Sequence, residues 1–190
     1  PDVSHYRLAA HLTTAFITFA YTFWVILDIL YPIKQEFNKK LKRIIQISLA
    51  ILIIQIIYGA FVAGLDAGFI HNFWPMMAEG KFIHETAYIE QEPLYRNFIE
   101  GKSGVQFIHR ILAYIVAISI FIIWNFTRKM VLSRDQRVGI NGLIFVLVLQ
   151  FTLGVFTLLL AVPVWLGVAH QIGAFFLLTA MTFVLHRFSK

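Results

Sequence analysis

Five stretches run almost free of charge through this chain, at 8–30, 44–65, 105–126, 140–162 and 164–185. A helix needs about 20 mostly apolar residues to cross the roughly 30 Å hydrocarbon core of a bilayer. Each stretch meets that length and is too long and too apolar for an ordinary strand. The expected fold class is therefore all-α, a polytopic membrane protein with five transmembrane helices. Composition agrees, since 59% of the 190 residues are hydrophobic and 14% are charged, against about 25% charged in soluble domains. Disorder, collagen-like fibres and most soluble enzymes are excluded. There is no Cys, which excludes disulfide frameworks, thiolate nucleophiles, iron–sulfur ligation and Cys-based zinc sites.

The loops orient the spans. Lys34, Lys39, Lys40, Lys42 and Arg43 lie between the first two, Arg128, Lys129, Arg134 and Arg137 between the third and fourth, and Arg187 and Lys190 in the tail. The positive-inside rule puts all three groups on the cytoplasmic or matrix side. The segment 66–104 carries Glu79, Glu85, Glu90, Glu92 and Glu100 and is expected outside, as is the turn at Pro163. The net charge of +6 is thus a topology signal, and no nucleic-acid partner is expected. The lipid bilayer is the first partner. The segment 66–104 is too long for a plain connector. Its Phe73, Trp74, Phe82, Tyr88 and Tyr95 suggest a partly ordered cap at the outer interface, where aromatic rings favour the headgroup level.

Seven histidines are present, and His11, His109 and His170 fall within spans. Ionisable groups at membrane depth are costly and usually functional. All three helices run from outside to inside, and each His lies one to two turns below the outer end, on the order of 5–10 Å deep. Small residues follow on the same faces: Thr14 and Ala15 after His11, Ala113 and Ala117 after His109, and Gly173 and Ala174 after His170. A flat macrocycle lying against a helix needs such a face, so a bis-histidine heme is the best chemical reading. Close helix packing through small residues accounts for any one of these positions taken singly. Zinc or copper sites usually add a carboxylate or thiolate, and the only acid at suitable depth is Asp66.

Arg110, beside His109, and Arg7, one turn before His11, are placed to pair with heme propionates, or to snorkel to the interface. Gln106 and Gln171 are candidates to orient imidazoles or propionates.

The first and fifth spans resemble one another, with Ala10-His11 and Ala15-Phe16 matching Ala169-His170 and Ala174-Phe175. A weaker match sets Gln55, Gly59 and Phe61 against Gln150, Gly154 and Phe156, and carries no weight in this reading. A period of four helices divides the chain into 1–43, the last helix of a preceding unit, and 44–190, a four-helix heme-binding bundle. The parent is expected to have eight spans in two parallel halves, with three helices before this chain. His109 and His170 would clamp one heme inside the bundle. His11 would hold a second with a His on a missing helix. The chain opens at Pro1 without an initiator Met, a basic leading segment or a cleavage site. No signal peptide is expected there, and the chain reads as a piece of a longer protein.

Four motifs carry a resemblance across essentially the whole chain. Tyr6-Arg7-Leu8-Ala9-Ala10-His11-Leu12 is similar to the fourth helix of heme A synthases. Gly59-Ala60-Phe61-Val62-Ala63-Gly64-Leu65-Asp66-Ala67-Gly68 resembles the fifth helix and the start of the loop after it. Val105-Gln106-Phe107-Ile108-His109-Arg110-Ile111-Leu112 resembles the sixth, and Ala169-His170-Gln171 the eighth. The long Gly-Ala run is highly specific, while Ala-His-Gln alone is not. The match is closest to the mitochondrial and proteobacterial-type branch.

The resemblance implies oxidation of the C8 methyl of heme O to a formyl group, giving heme A for terminal oxidases. It implies a heme b between His109 and His170, with heme O and heme A as substrate and product at His11. It places a catalytic glutamate and a partner histidine on the second helix, which this chain lacks, so no catalytic residue is expected here. Ile108 departs from the polar or acidic residue usual before the sixth-helix His. The implied site is the bacterial cytoplasmic or mitochondrial inner membrane, with the His layer near the outer face. The implied partners are the N-terminal half of the same protein, heme O synthase, an electron acceptor and a second copy of the chain. Two other readings stay open: a b-type membrane cytochrome that only relays electrons, and a heme-free transporter with proton-relay histidines.

Overall fold

A computed structural model describes residues 4–32 and 38–189. In chain order it contains α1 (His5–Leu30), α2 (Lys39–Gly64), the single-turn α3 (Thr86–Ile89), α4 (Lys102–Thr127), α5 (Arg134–Leu159) and α6 (Val164–Arg187). Among the described residues there is no strand. The five long helices are each long and apolar enough to cross a membrane, and the chain is an all-α polytopic membrane protein. Lys34 and Lys190, two of the cations used for orientation, lie outside the described residues.

Helices α1, α2, α4 and α5 begin three to six residues before their apolar runs, in polar sequence, while α6 begins with its run at Val164. Hydropathy marks where side chains meet lipid, whereas capping marks where the backbone turns. The Asn38 side chain accepts from Lys40 N and Leu41 N at 3.0 and 3.1 Å and so starts α2. Ser133 and Gln136 form a capping box at the head of α5, each side chain bonding the other's backbone N–H. At its far end α5 stops at Leu159 rather than running on to 162. Val162 precedes Pro163, and proline disfavours the right-handed helical region for the residue before it. Ala161 and Val162 turn the chain with φ of 55° and 56°, and α6 starts at once.

The chain alternates direction, so the start of α1, the end of α2, the start of α4, the end of α5 and the start of α6 share one end. Contacts there join His5 to Ile99, Asn72 to Leu158, and Gly68 to Val162. The segment 65–101 covers this end as a cap. It holds α3, two short 3-10 turns and five buried residues, Ala67, Met77, Ala87, Asn97 and Gly101. Asn97 fastens the cap to itself, accepting from Gln91 N at 2.7 Å and donating to Gln91 O at 2.7 Å and Leu94 O at 3.0 Å. The expected outer cap is therefore ordered, and Phe73, Trp74, Phe82, Tyr88 and Tyr95 stand exposed on it.

The long helices form two close pairs, α2 with α4 and α5 with α6, while α1 lies along α2 and α6 and the α4–α5 seam is thin. The main apolar core sits in the half away from the cap. It is built from Leu41, Ile45 and Leu52 of α2, Ile120 and Ile123 of α4, Leu143 of α5, and Leu178, Met181 and Val184 of α6. At that end His186 Nε2 meets Asp28 Oδ1 at 2.9 Å, joining α6 to α1. Gln136 Nε2 donates to Arg187 O at 3.0 Å, joining α5 to α6.

The cap-side half is packed differently. None of residues 107–115 of α4 or 144–159 of α5 is buried, and of residues 167–176 in α6 only Gly173 is. The small apolar cluster of this half, Ala9, Ala60, Phe61 and Val105, joins α1, α2 and the start of α4, and few side chains of α4, α5 and α6 are buried beyond it.

Candidate functional site

His109 and His170 lie in that loosely packed half. With His11 they stand about two turns from the cap-side end of their helices, on the order of 10 Å along the axis. They do not converge: among the described residues no three of His, Cys, Asp and Glu gather as a metal site. His11 is exposed on α1, as is Arg7 one turn before it. His109 and His170 are half-buried.

Each of these two imidazoles leans from one helix of a close pair onto a glycine of the other. His109 Cε1 lies 3.3 Å from where a Gly59 β-carbon would stand, and His170 Cε1 lies 2.8 Å from that of Gly154. Beside each ring is a carboxamide, with Gln55 Nε2 3.4 Å from His109 Nε2 and Gln150 Nε2 3.5 Å from His170 Nε2. The Nδ1 atoms of both histidines and the Oε1 atoms of both glutamines are buried and have no hydrogen-bond partner. Buried polar atoms are normally satisfied. Two imidazoles with unpartnered nitrogens in a loosely packed half of a bundle fit a heme held through its iron.

Two of the other expected site residues, Gln106 and Arg110, serve the cap. Gln106 is buried and donates to Ala67 O at 2.9 Å and to Ile70 O. Arg110 donates to Phe73 O and Met76 O at 2.9 and 3.0 Å, to His71 O, and to Gln106 Oε1 at 3.1 Å. These two side chains seal the cap to α4 directly above His109. Gln171 is exposed on α6. Gly173, expected as a flat face for a macrocycle, is taken up by helix packing, because a β-carbon there would collide with the Gln150 side chain. The carboxamides that face the rings are Gln55 and Gln150, which sequence reading passed over. Their signal was the weaker repeat, Gln then Gly one turn on, in α2 and again in α5.

A second polar group lies in the cap. His71 Nε2 meets Ser103 Oγ, Ser103 Oγ meets Thr86 Oγ1 at 2.6 Å, and His84 Nδ1 meets Thr86 Oγ1 at 2.8 Å. Burial lowers the His71 pKa, with further lowering from His84 and Arg110.

Comparison with known proteins gives these features a setting. The family model described as COX15-CtaA, cytochrome oxidase assembly protein, matches residues 1–182. The chain is 56% identical to a heme A synthase of Flavobacterium psychrophilum over 190 residues, covering 100% of this chain and 56% of that protein. It is 58% identical to a heme A synthase of Flavobacterium johnsoniae, again over 100% of the chain and 56% of the relative. It is 41% identical to heme A synthase COX15 of Arabidopsis thaliana over 98% of the chain and 42% of that protein. The chain therefore spans about half the length of the curated relatives it matches. The five spans, the cap and the histidine-bearing helices all fall within a chain that belongs to the COX15-CtaA family of cytochrome oxidase assembly proteins.

Proposed function

We propose that this chain is the heme b-binding part of a heme A synthase, divided into 1–43 and the four-helix unit 44–190. The whole protein would oxidise the C8 methyl of heme O to a formyl group, supplying heme A for cytochrome oxidase. Water would be the oxygen source, and the electrons would leave to a separate acceptor. The supporting observation is the loosely packed cap-side half, with the unpartnered Nδ1 atoms of His109 and His170 inside it. His109 and His170 would hold the heme through its iron, and the bound heme would supply electron transfer. Gln106 and Arg110 would keep the cap closed above His109 and exclude water from that side. His11 and Arg7, exposed on α1, would face the part of the protein beyond this chain, His11 toward the iron of the substrate heme and Arg7 toward its propionates. Heme O synthase, the electron acceptor and a second copy are the protein partners this reading proposes. The membrane would be the bacterial cytoplasmic or mitochondrial inner membrane, with the cap at the outer face.

The test is a reduced-minus-oxidised and pyridine hemochrome spectrum of the full-length protein in detergent. About one heme b per protein is expected at this site, and His109→Ala or His170→Ala should abolish its low-spin bis-histidine signal. Unchanged Soret and α bands in both variants would overturn the ligand assignment. His11→Ala should block heme A formation and leave heme b bound, and normal heme A formation would remove its substrate role.

A further inference from the structure

His109 and His170 stand on different helices of different pairs, yet each meets the same two residue types on its neighbour. On α2, Gln55 precedes Gly59 by one turn, and on α5, Gln150 precedes Gly154 by one turn. Both glycines admit the imidazole edge, and both glutamines bring a carboxamide within 3.4–3.5 Å of a ring nitrogen. Among the described residues, that carboxamide is the hydrogen-bonding side chain set against each ring.

An imidazole that gives one nitrogen's lone pair to iron carries its proton on the other nitrogen. At membrane depth no bulk water receives that N–H. A carboxamide can donate or accept, depending on which way its end group is turned. Both glutamine oxygens are buried without a partner, so half a turn of the amide offers each ring an acceptor that nothing else uses. Resting on the ligand assignment above, we propose that Gln55 and Gln150 are positioning residues, each carboxamide oxygen accepting the N–H of the imidazole it faces. The bond fixes the rotation of the ring and strengthens its donation to iron, which favours the ferric state. The repeat of the arrangement in both helix pairs gives the two ligands matched surroundings.

The test uses the full-length protein with its heme, comparing Gln55→Leu and Gln150→Leu with Gln55→Glu and Gln150→Glu. The readouts are heme content, reduction midpoint and the low-spin g-values in electron paramagnetic resonance. The Leu variants should keep parental heme content while the midpoint rises and the g-values move. The Glu variants retain an acceptor and should show a midpoint at or below the parental one. Parental heme content with unmoved midpoint and g-values in all four would overturn the proposal. If the Leu variants shed heme, retention in the Glu variants supports it and loss there overturns it. A protein whose heme signal survives both His→Ala changes overturns the ligand assignment and this proposal together. Unmoved Gln variants in a protein that loses the signal with His→Ala overturn the positioning role alone.

Discussion

The His170 ring rests against the bare backbone of Gly154, where a β-carbon would stand 2.8 Å from its Cε1. At the equivalent place on α2 the distance from a Gly59 β-carbon to His109 Cε1 is 3.3 Å. Alanine is better than glycine in a helix by about 1 kcal/mol, whereas overfilling a packed site costs about 1–3 kcal/mol. Gly59→Ala should therefore come out close to neutral, while Gly154→Ala should push His170 from its place. Heme content and thermal midpoint of the two variants would show it. Equal effects at both positions would mean that these glycines do not set the ring positions.

Arg110 gathers three carbonyls of the cap, those of His71, Phe73 and Met76. Lysine has no planar fork to reach several acceptors at fixed angles. Arg110→Lys should loosen residues 71–76 by about 1–3 kcal/mol, read as amide exchange about five- to 150-fold faster there. Parental exchange rates would show that the cap is held elsewhere.

Acid should open the same cap, and the sign follows from two groups. His71 has its pKa lowered mainly by burial, so the neutral ring is the folded form. Its contribution is complete above the unfolded value of about 6.5 and is lost as pH falls below it. Glu100 has its pKa lowered first by its hydrogen bond from Arg96, so its contribution is present above about 4.5 and is lost as pH falls further. Limited proteolysis of 65–101 should accelerate in two steps on acidification, and His71→Gln should remove the upper one. An upper step unchanged in His71→Gln would assign it to another group.

Asp28 and His186 join the first helix to the last at the end away from the cap. His186 is fully buried, while the Asp28 side chain is 35% exposed. Removing the carboxylate strands a polar ring in the core, which costs about 1–3 kcal/mol. Asp28→Ala should lower the thermal midpoint in detergent, and Asp28→Asn, which keeps an acceptor, should lower it less. Equal midpoints for Asp28→Ala and the parent would show that this pair does not hold α1 in place.

Much of the architecture was legible because the bilayer imposes one demand on every span. The apolar runs located five helices. The helix ends were less legible, because caps such as Asn38 and Ser133 start helices in polar sequence that hydropathy does not count. Arg110 and Gln106 were read as partners of a heme or its ligands, yet the fold uses both on cap carbonyls. Nothing local to 106–110 announces that the loop returns over it.

By itself the sequence determined what each segment must be, through the length and polarity of stretches whose surroundings are lipid or water. Which residues meet was decided only by the tertiary structure. The pairing of α2 with α4 and of α5 with α6 sets Gln55 and Gly59 against His109, and Gln150 and Gly154 against His170. The packing of α1 along α6 brings Asp28 to His186 across nearly the whole chain. Periodicity marks a residue's own helix face, but the residue opposite is chosen by how ridges and grooves of two helices interlock. That choice is a property of the pair and is written in neither helix alone.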